Sequence, residues 1–293
     1  MTWTYEPLQE VAACNFCGSP RSEWLWLADR DRAGHQATSV LCRNCGLVFI
    51  TPRMTAEGYA EFYGSGAYRQ IAGQFGHDKE KMQDSQGKYA RAVGNWLTGV
   101  LPHSIEGGTL LDIGGSNGIV AAELKQRFGL SQATVLEPSQ SECGEAADRG
   151  LCGEPGSLES WEPGQRSYNF ITLWQTVDHL LDIACSFAKI RRILAPGGLF
   201  ALDIVNFPFL LKAFRKVERA VKIDHPYGLS PSVMACFLLR AGFEIVTHAS
   251  MLGGRKVFFL CRHGEPKNVL PDKSSVDFLL RLLEEVRRAR VGV

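Results

Sequence analysis

The sequence has 293 residues, of which 22% are charged and 45% hydrophobic, and its 32 Lys and Arg nearly balance its 31 Asp and Glu. This length accommodates one large domain and a small accessory module, and the balanced charge excludes a whole-protein field that would attract nucleic acid or an anionic membrane. Residues 1–11 lack a targeting pattern and no apolar run is long enough to span a membrane, so we expect a cytoplasmic protein without membrane contacts.

Four of the nine cysteines form two close pairs near the N-terminus. Cys14 with Cys17, and Cys42 with Cys45, are C-x2-C-G knuckles, and four thiolates at this spacing can enclose a zinc ion tetrahedrally. The glycine after each pair permits the positive-φ turn that a knuckle needs. Closed four-cysteine sites stabilise small modules, so we expect structural zinc, with an iron centre as the alternative.

Two further expectations concern side chains in and around this module. Its charges are mixed, so we expect Trp24 and Trp26 to pack against the core rather than to stack on bases. The other five cysteines are scattered, and we expect them to be small buried residues: Cys143, Cys152, Cys185, Cys236 and Cys261.

The remainder of the chain has the pattern of an α/β protein. We assign residues 1–52 to the zinc-binding module, 53–78 to a linker or lid, 79–264 to an α/β domain and 265–293 to a helical tail. A helical pattern from Lys79 to Leu101 leads into the domain. Short β-rich runs then alternate with amphipathic stretches, which is typical of a parallel, doubly wound sheet, with strands at Leu110–Ile113, Ala133–Leu136, Phe170–Leu173 and Leu199–Val205.

The first of these strands runs into a glycine-rich turn that opens a helix. Glycine allows close approach of a ligand to the backbone, and the helix N-terminus offers free N–H groups. Glu137 ends the next strand, where a carboxylate can accept hydrogen bonds from both ribose hydroxyls. The spacing of Gly114, Ser116 and Gly118 differs from the dinucleotide fingerprint, and Asp112 suits a positively charged ligand better than a pyrophosphate. The alternative is a plain strand-to-helix turn without a ligand.

The end of the chain predicts a hairpin and a helix. Phe243–Ser250 and Lys256–Cys261 are β-like runs joined by a link that contains Gly253 and Gly254, so the last strands should be antiparallel. Ser274–Arg290 has helical spacing and ends in arginines, which suit a helix C-terminus. We expect a docked helix rather than a nucleic-acid-binding tail.

Over roughly residues 80–262, the ordered set of motifs resembles the class I S-adenosylmethionine-dependent methyltransferases. Asp112, Gly114 and Gly118 match the family's acidic residue and glycine-rich turn, with Ser116 in place of the usual middle glycine. Further matches follow at Val177–His179, Leu194–Gly198 and Ala241–Glu244.

This resemblance implies an α/β, Rossmann-like, doubly wound, mostly parallel seven-stranded sheet with an antiparallel last strand, plus a small N-terminal zinc-ribbon-like module. It implies that the turn binds the methionine part of S-adenosylmethionine and that Glu137 binds the ribose. The implied cofactor-binding residues are Asp112, Gly114, Gly115, Ser116, Gly118, Glu137, Pro138, Ser157, Leu158, Trp174 and Gln175.

The knuckles, the segment Gly46–Arg53 and the aromatic residues after it resemble the N-terminal region of bacterial methyltransferases that act on sugars, surface polysaccharides and secondary metabolites. The resemblance implies a small-molecule or sugar acceptor. The sequence stops at residue 293, without the large C-terminal domain of sugar C-methyltransferases, so we expect transfer to oxygen. Tyr63, Tyr68 and Tyr227 are candidate substrate contacts, with aromatic packing as the alternative.

A hydroxyl acceptor requires a general base, and two histidines are candidates. His179 follows the fourth strand, at the edge where open α/β sheets bind ligands. His225 lies in a loop that borders the acceptor site in related methyltransferases, and we place it ahead of His179. Either histidine could instead be a capping or packing residue.

Three other functions remain alternatives at this stage. One is an RNA methyltransferase that uses the zinc module for recognition, although the balanced charge makes nucleic acid an unfavoured partner. The second is a methyltransferase-like binding or scaffold protein without activity. A dinucleotide oxidoreductase fits less well, because of the terminal hairpin. The sequence does not determine the oligomeric state.

Overall fold

The computed structural model describes residues 5–67 and 79–291, so Tyr68, one of the predicted substrate contacts, lies outside the described residues. Within them the strands form a seven-stranded, a four-stranded and a two-stranded sheet. The strands are β1 (Leu8–Gln9), β2 (Trp24–Arg30), β3 (Gln36–Cys42), β4 (Val48–Ile50), β5 (Arg53–Met54), β6 (Thr109–Ile113), β7 (Gln132–Glu137), β8 (Cys152–Pro155), β9 (Tyr168–Leu173), β10 (Leu194–Val205), β11 (Tyr227–Gly228), β12 (Phe243–Met251) and β13 (Lys256–His263).

Nine α-helices connect these strands in the part of the chain that the structure describes. They are α1 (Ala56–Gly64), α2 (Lys79–Val100), α3 (Ile119–Phe128), α4 (Gln140–Asp148), α5 (Ile183–Ile193), α6 (Phe207–Phe214), α7 (Val217–Ala220), α8 (Pro231–Arg240) and α9 (Lys273–Val291). Side-chain caps fix where several of them begin. Asp182 accepts from the Cys185 amide (2.9 Å) at α5, and Ser230 accepts from the Val233 amide (3.3 Å) at α8.

The seven-stranded sheet has the order β12-β13-β10-β9-β6-β7-β8. Strand β6 pairs in parallel with β7 and β9, β9 pairs in parallel with β10, and β13 is antiparallel to both of its neighbours. The predicted mostly parallel sheet with an antiparallel last strand is therefore confirmed. Strand β8 was not predicted, because it is a short edge strand without apolar alternation.

Each face of this sheet is covered by helices. Helices α2 and α3 pack on one face. Val93 and Leu97 of α2 and Leu124 of α3 are fully buried there. Helices α5 and α8 pack on the other face through Phe187, Phe237 and their neighbours. This layering leaves the carboxyl ends of the parallel strands open, which is where such sheets bind ligands.

The cysteine module is joined to the α/β domain by main-chain pairing. Its sheet has the order β11-β4-β3-β2, and β11 comes from the domain: Tyr227 pairs with Phe49, and Gly228 with Val48. The two parts also share an apolar cluster in which the rings of Phe16 and Phe237 lie 4.4 Å apart. The predicted division of the chain at residues 52, 78 and 264 stays a prediction.

Helix α9 packs onto the module, as predicted for a docked helix. Its buried residues Leu279, Leu283 and Val286 share an apolar cluster with Leu27 and Val48. No helix within residues 5–67 and 79–291 is both long enough and apolar enough to cross a membrane.

Two packing predictions are partly wrong. Trp24 packs edge-on against Phe49, but Trp26 is 52% exposed, because it lies on the edge strand β2 beside a register shift. Cys152 and Cys185 are also exposed, whereas the other three scattered cysteines are buried. Cys152 lies on the edge strand β8, and Cys185 lies in the first turn of α5.

Candidate active site

One cavity of about 630 Å³ lies at the carboxyl ends of β6, β7 and β9. It is lined at one end by the glycine-rich turn after β6 and at the other by the loop before β11. The predicted cofactor residues on its wall are Asp112, Gly114, Gly115, Ser116, Glu137, Pro138, Ser157, Leu158, Trp174 and Gln175. Gly118 lies behind the turn, where an added Cβ would come within 2.5 Å of Leu151, so its small size serves packing.

The turn has the conformation that its glycines permit. Gly114 has φ of +66°, its amide donates to the Leu136 carbonyl (2.7 Å), and an added Cβ would lie 2.5 Å from the Thr176 side chain. Ser116 adopts φ of +52°, and its amide donates to the Glu137 carboxylate (3.1 Å). The turn and the end of β7 therefore hold each other in place.

Asp112 is a buried carboxyl group with one unsatisfied oxygen. Its Oδ1 accepts from the Thr172 hydroxyl (2.7 Å), whereas its Oδ2 has no hydrogen-bond partner in the structure. Burial raises the pKa of Asp112 to about 7, despite the Thr172 hydrogen bond. A buried acceptor oxygen without a donor fits the cationic part of a ligand.

An ion pair that the sequence analysis missed lies beside the turn. Lys256 Nζ is 2.7 Å from Asp203 Oδ2, and both side chains are buried. Asp203 Oδ1 accepts from the amide of Gln175 (2.5 Å), a residue with φ of +55°. The one feature of the sequence that could have indicated this ion pair is Asp203 itself, a carboxylate within the otherwise apolar run of β10. The pair fixes the backbone at the end of β9.

At the other end of the cavity, His225 is bonded to a buried carboxylate. Its Nδ1 lies 2.7 Å from Asp178 Oδ2. Burial alone would raise the pKa of Asp178, but the charge that His225 carries when it is protonated, together with its hydrogen bond, lowers that pKa well below its ordinary value. Asp178 is therefore ionised and orients the imidazole. Sequence reasoning noted Asp178 only as part of a family motif.

His179 lies next to this pair but has different properties. Its ring centroid is 4.2 Å from that of His225, and its Nδ1 is hydrogen-bonded to the Tyr63 hydroxyl. Burial and the adjacent His225 lower the pKa of His179 to about 3. His179 therefore stays neutral near pH 7 and is too weakly basic to be an efficient general base.

Lys222 is hydrogen-bonded to the second ring nitrogen of His225. Its Nζ lies 2.8 Å from Nε2 of His225 and 3.2 Å from Oδ2 of Asp224. An ammonium group donates but cannot accept, so Nε2 is the acceptor and we assign the ring proton to Nδ1, facing Asp178. Sequence reasoning did not select Lys222, because nothing in its local sequence indicates this contact.

Both described candidate tyrosines line the cavity. The Tyr227 hydroxyl already has two protein partners, since it donates to the Leu181 carbonyl (2.7 Å) and accepts from Arg53 (3.0 Å). Tyr63 is placed beside His179 and also donates to the Asp224 carbonyl (3.4 Å). The Tyr227 hydroxyl is therefore already engaged by the protein, and the residue as a whole is buried.

The four knuckle cysteines converge at one end of the module. Cys14 Sγ lies 3.6 Å from Cys45 Sγ, and Cys17 Sγ lies 3.5 Å from Cys42 Sγ. Sulfurs bound to zinc at ~2.3 Å would be about 3.8 Å apart in a tetrahedron, so the group is close to the size required. The glycines after each pair have φ of +74° and +75°, as predicted. The donor set fits a structural zinc ion.

Asp178, His179 and His225 form a second group with suitable ligand atoms for a metal ion. Here, however, the ammonium group of Lys222 is already hydrogen-bonded to His225. A divalent cation would be placed next to this fixed positive charge, which costs energy in a low-dielectric site. The geometry therefore favours a hydrogen-bonded chain of Asp178, His225 and Lys222 over a metal centre.

A family model described as a methyltransferase domain matches residues 81–248. A search of curated proteins gives no significant match. Three solved structures illustrate the fold similarity. The mitomycin 7-O-methyltransferase MmcR aligns with a TM-score of 0.51 at 19% identity, covering 63% of this chain and 56% of that enzyme. The chain thus spans little more than half the length of that enzyme.

The other two structures are aligned over nearly their whole length. The DhpI complex with S-adenosylhomocysteine aligns with a TM-score of 0.51 at 22% identity, covering 72% of this chain and 99% of that chain. A methyltransferase described as S-adenosylmethionine-dependent, from Listeria monocytogenes, aligns at 0.50 with 16% identity, covering 59% and 100%. At these identities the similarity shows a shared fold.

Proposed function

This chain belongs to the methyltransferase domain family and is an S-adenosylmethionine-dependent methyltransferase, and on that premise we propose that it methylates a hydroxyl oxygen of a small molecule or sugar. The observation that carries the proposal is that one cavity joins the glycine-rich turn to the pair formed by Asp178 and His225. The proposed cofactor site and the proposed base therefore line the same cavity.

The cofactor end suits S-adenosylmethionine for reasons of charge. The buried, unpartnered Oδ2 of Asp112 is complementary to a cationic group, and we propose that Glu137, at the end of β7, binds the ribose. Ser157, Leu158 and Trp174 would surround the adenosyl part. When bound, the cofactor supplies an electrophilic methyl group on a sulfonium ion.

The acceptor end provides positioning and a proton acceptor. Alignment at near-attack distance accounts for ~7–11 kcal/mol of a barrier, and a general base adds about 10²–10⁴-fold. In the proposed reaction Nε2 of His225 takes the proton of the acceptor hydroxyl, while Asp178 stabilises the imidazolium that results. Tyr63 and the ring of Tyr227 would contact the acceptor.

The four-cysteine site is proposed to hold structural zinc, which would maintain the module that forms one wall of the cavity. Val48, Phe49 and Ile50 of β4 line this wall. Ile50 also donates its amide to the Pro226 carbonyl (3.0 Å), directly after His225.

We expect Asp112→Ala to weaken S-adenosylhomocysteine binding about 10- to 100-fold, because a charged partner for the ligand's cation is lost. Isothermal titration with S-adenosylmethionine, S-adenosylhomocysteine and NAD tests the proposal directly. Binding of the two adenosyl ligands without NAD binding would support it. If neither adenosyl ligand bound to the unaltered protein, the proposed transfer reaction would be wrong and a scaffold role would take its place.

The pKa of Asp112 leads to a prediction about pH. With a pKa of about 7 the carboxyl group is largely protonated below that pH in the ligand-free protein, whereas a cationic ligand favours the ionised form. Ligand affinity should therefore fall about tenfold per pH unit below pH ~7, and binding at neutral pH should release protons. Titrations in two buffers of different ionisation enthalpy measure this release. The isosteric control Asp112→Asn should abolish it, and equal release by both proteins would contradict the assignment.

A further inference from the structure

The proposed base, His225, is hydrogen-bonded to the ammonium group of Lys222. Lys222 Nζ donates to Nε2 of His225 at 2.8 Å, and Asp178 occupies Nδ1, so both ring nitrogens have protein partners. A general base needs a free lone pair in reach of the acceptor proton. For His225 to act at Nε2, Lys222 must therefore move away first.

The side chain of Lys222 is placed so that it can move. It lines the cavity, is 23% exposed, and has a flexible four-carbon stem. Besides His225 its ammonium group is paired with Asp224 Oδ2 (3.2 Å), which provides an anchor for the charge. An anionic group entering the cavity would compete for this ammonium with both partners.

Two further basic residues, Arg32 and Arg219, line the same cavity. The Arg32 amide donates to the Val221 carbonyl (3.1 Å), which places the module's β2–β3 turn beside the segment that contains Arg219 and Lys222. Both arginines are exposed and line the cavity, and neither forms an ion pair with another residue in the described parts of the chain.

The carboxylates at this end of the cavity are already engaged. Asp31 accepts from the amides of Ala33 and His35 (both 2.9 Å) and from that of Ile223 (3.2 Å). Asp178 is bonded to His225, and Asp224 to Lys222. The two arginines are therefore the groups left to bind an anion from the solvent side.

We propose that the acceptor carries an anionic group near its reacting hydroxyl, that Lys222 binds this group together with Arg32 and Arg219, and that this movement unmasks Nε2 of His225. The inference rests on the proposed function and deepens it, since it specifies the acceptor class. Lys222 acts as a specificity-determining residue, because an uncharged acceptor would leave the base capped. Phosphate and carboxylate groups share the required chemistry.

The test uses the 293-residue chain loaded with S-adenosylhomocysteine. Pyrophosphate, glucose 1-phosphate and glucuronate serve as anionic probes, and glucose as the neutral one. We expect anionic probes to bind and glucose not to, with Lys222→Met weakening anion binding about 10- to 100-fold. Lys222→Arg should retain most of it, and Lys216→Met, which removes an exposed lysine outside the cavity, should leave it unchanged. The ranking of glucose 1-phosphate against glucuronate distinguishes phosphate from carboxylate.

A second readout separates this role from a structural one. In ¹⁵N-histidine spectra, pyrophosphate should shift the Nε2 resonance of His225 in the unaltered protein, because the lysine leaves that nitrogen. In Lys222→Met the nitrogen is already free and the resonance should stay in place. Anion binding that is absent, or equal in Lys222→Met, overturns the inference. Unchanged S-adenosylhomocysteine affinity in that variant shows that the cofactor site is intact, so a failure of this inference is distinguished from a failure of the proposed cofactor binding.

Discussion

Replacement of His225 by Asn should lower kcat about 10²–10⁴-fold and leave the affinity for S-adenosylhomocysteine unchanged. Asn keeps a polar side chain but has no nitrogen that can take the proton of a hydroxyl. The cofactor end is held by different residues, Asp112, Glu137 and the Asp203 to Lys256 pair. Single-turnover rates and isothermal titration on the same preparation would separate the two effects.

Three further variants test whether the loss of kcat is specific to His225 and its partner. Asp178→Asn should also reduce kcat, because an uncharged partner no longer stabilises the imidazolium at 2.7 Å. His179→Asn should have the smaller effect of the two histidine changes, since His179 is a weak base. His103→Asn alters an exposed histidine outside the cavity and is the matched control. Full activity of His225→Asn would remove this residue from the mechanism.

Loss of the metal from the four-cysteine site should unfold the module and abolish turnover. Structural zinc contributes an apparent ~10–16 kcal/mol in small zinc-binding peptides at pH 7, which exceeds what a module of this size gains from its own core. In Cys45→Ser one ligand of the proposed zinc ion is replaced by a far weaker one. We expect this variant to contain less than one zinc per chain and to unfold at a markedly lower temperature.

The activity loss follows from where the module lies. Strand β4 pairs with β11, and the Ile50 amide donates to the Pro226 carbonyl, so the segment after His225 is held by the module. Without this pairing, the loop that carries Lys222, Asp224 and His225 loses its support. The site would then lose its base without losing any residue of the glycine-rich turn.

Zinc content by emission spectroscopy, thermal unfolding and turnover test this prediction together. Cys185→Ser is the matched control, because Cys185 is exposed on α5 and should behave like the unaltered protein. A zinc-free Cys45→Ser protein that is as stable and as active as the unaltered protein would contradict a structural metal. Iron in place of zinc in the purified protein would support the alternative stated from the sequence.

Where a local motif fixes the backbone, the sequence predicted the conformation of individual residues. The turn after β6 adopts the positive-φ conformations that Gly114 and its neighbours permit, and the two knuckle glycines do the same. Strand β8 and the short strands β4 and β11 were not predicted. They are edge or few-residue strands, and their pairing is decided by the strand beside them rather than by their own apolar pattern.

The sequence by itself determined the fold family and the four-cysteine group and predicted the cofactor end, because each rests on short local motifs whose internal spacing fixes their geometry. Only the tertiary structure decided how the proposed acceptor end is assembled. Asp178, Lys222 and His225 come from two loops, and Arg32 comes from the module. No local pattern brings these residues together. Strand β11 leaves the α/β domain to pair with β4, and this brings the loop before β11 against the module, where the Ile223 amide donates to Asp31, a residue 192 positions away in the chain.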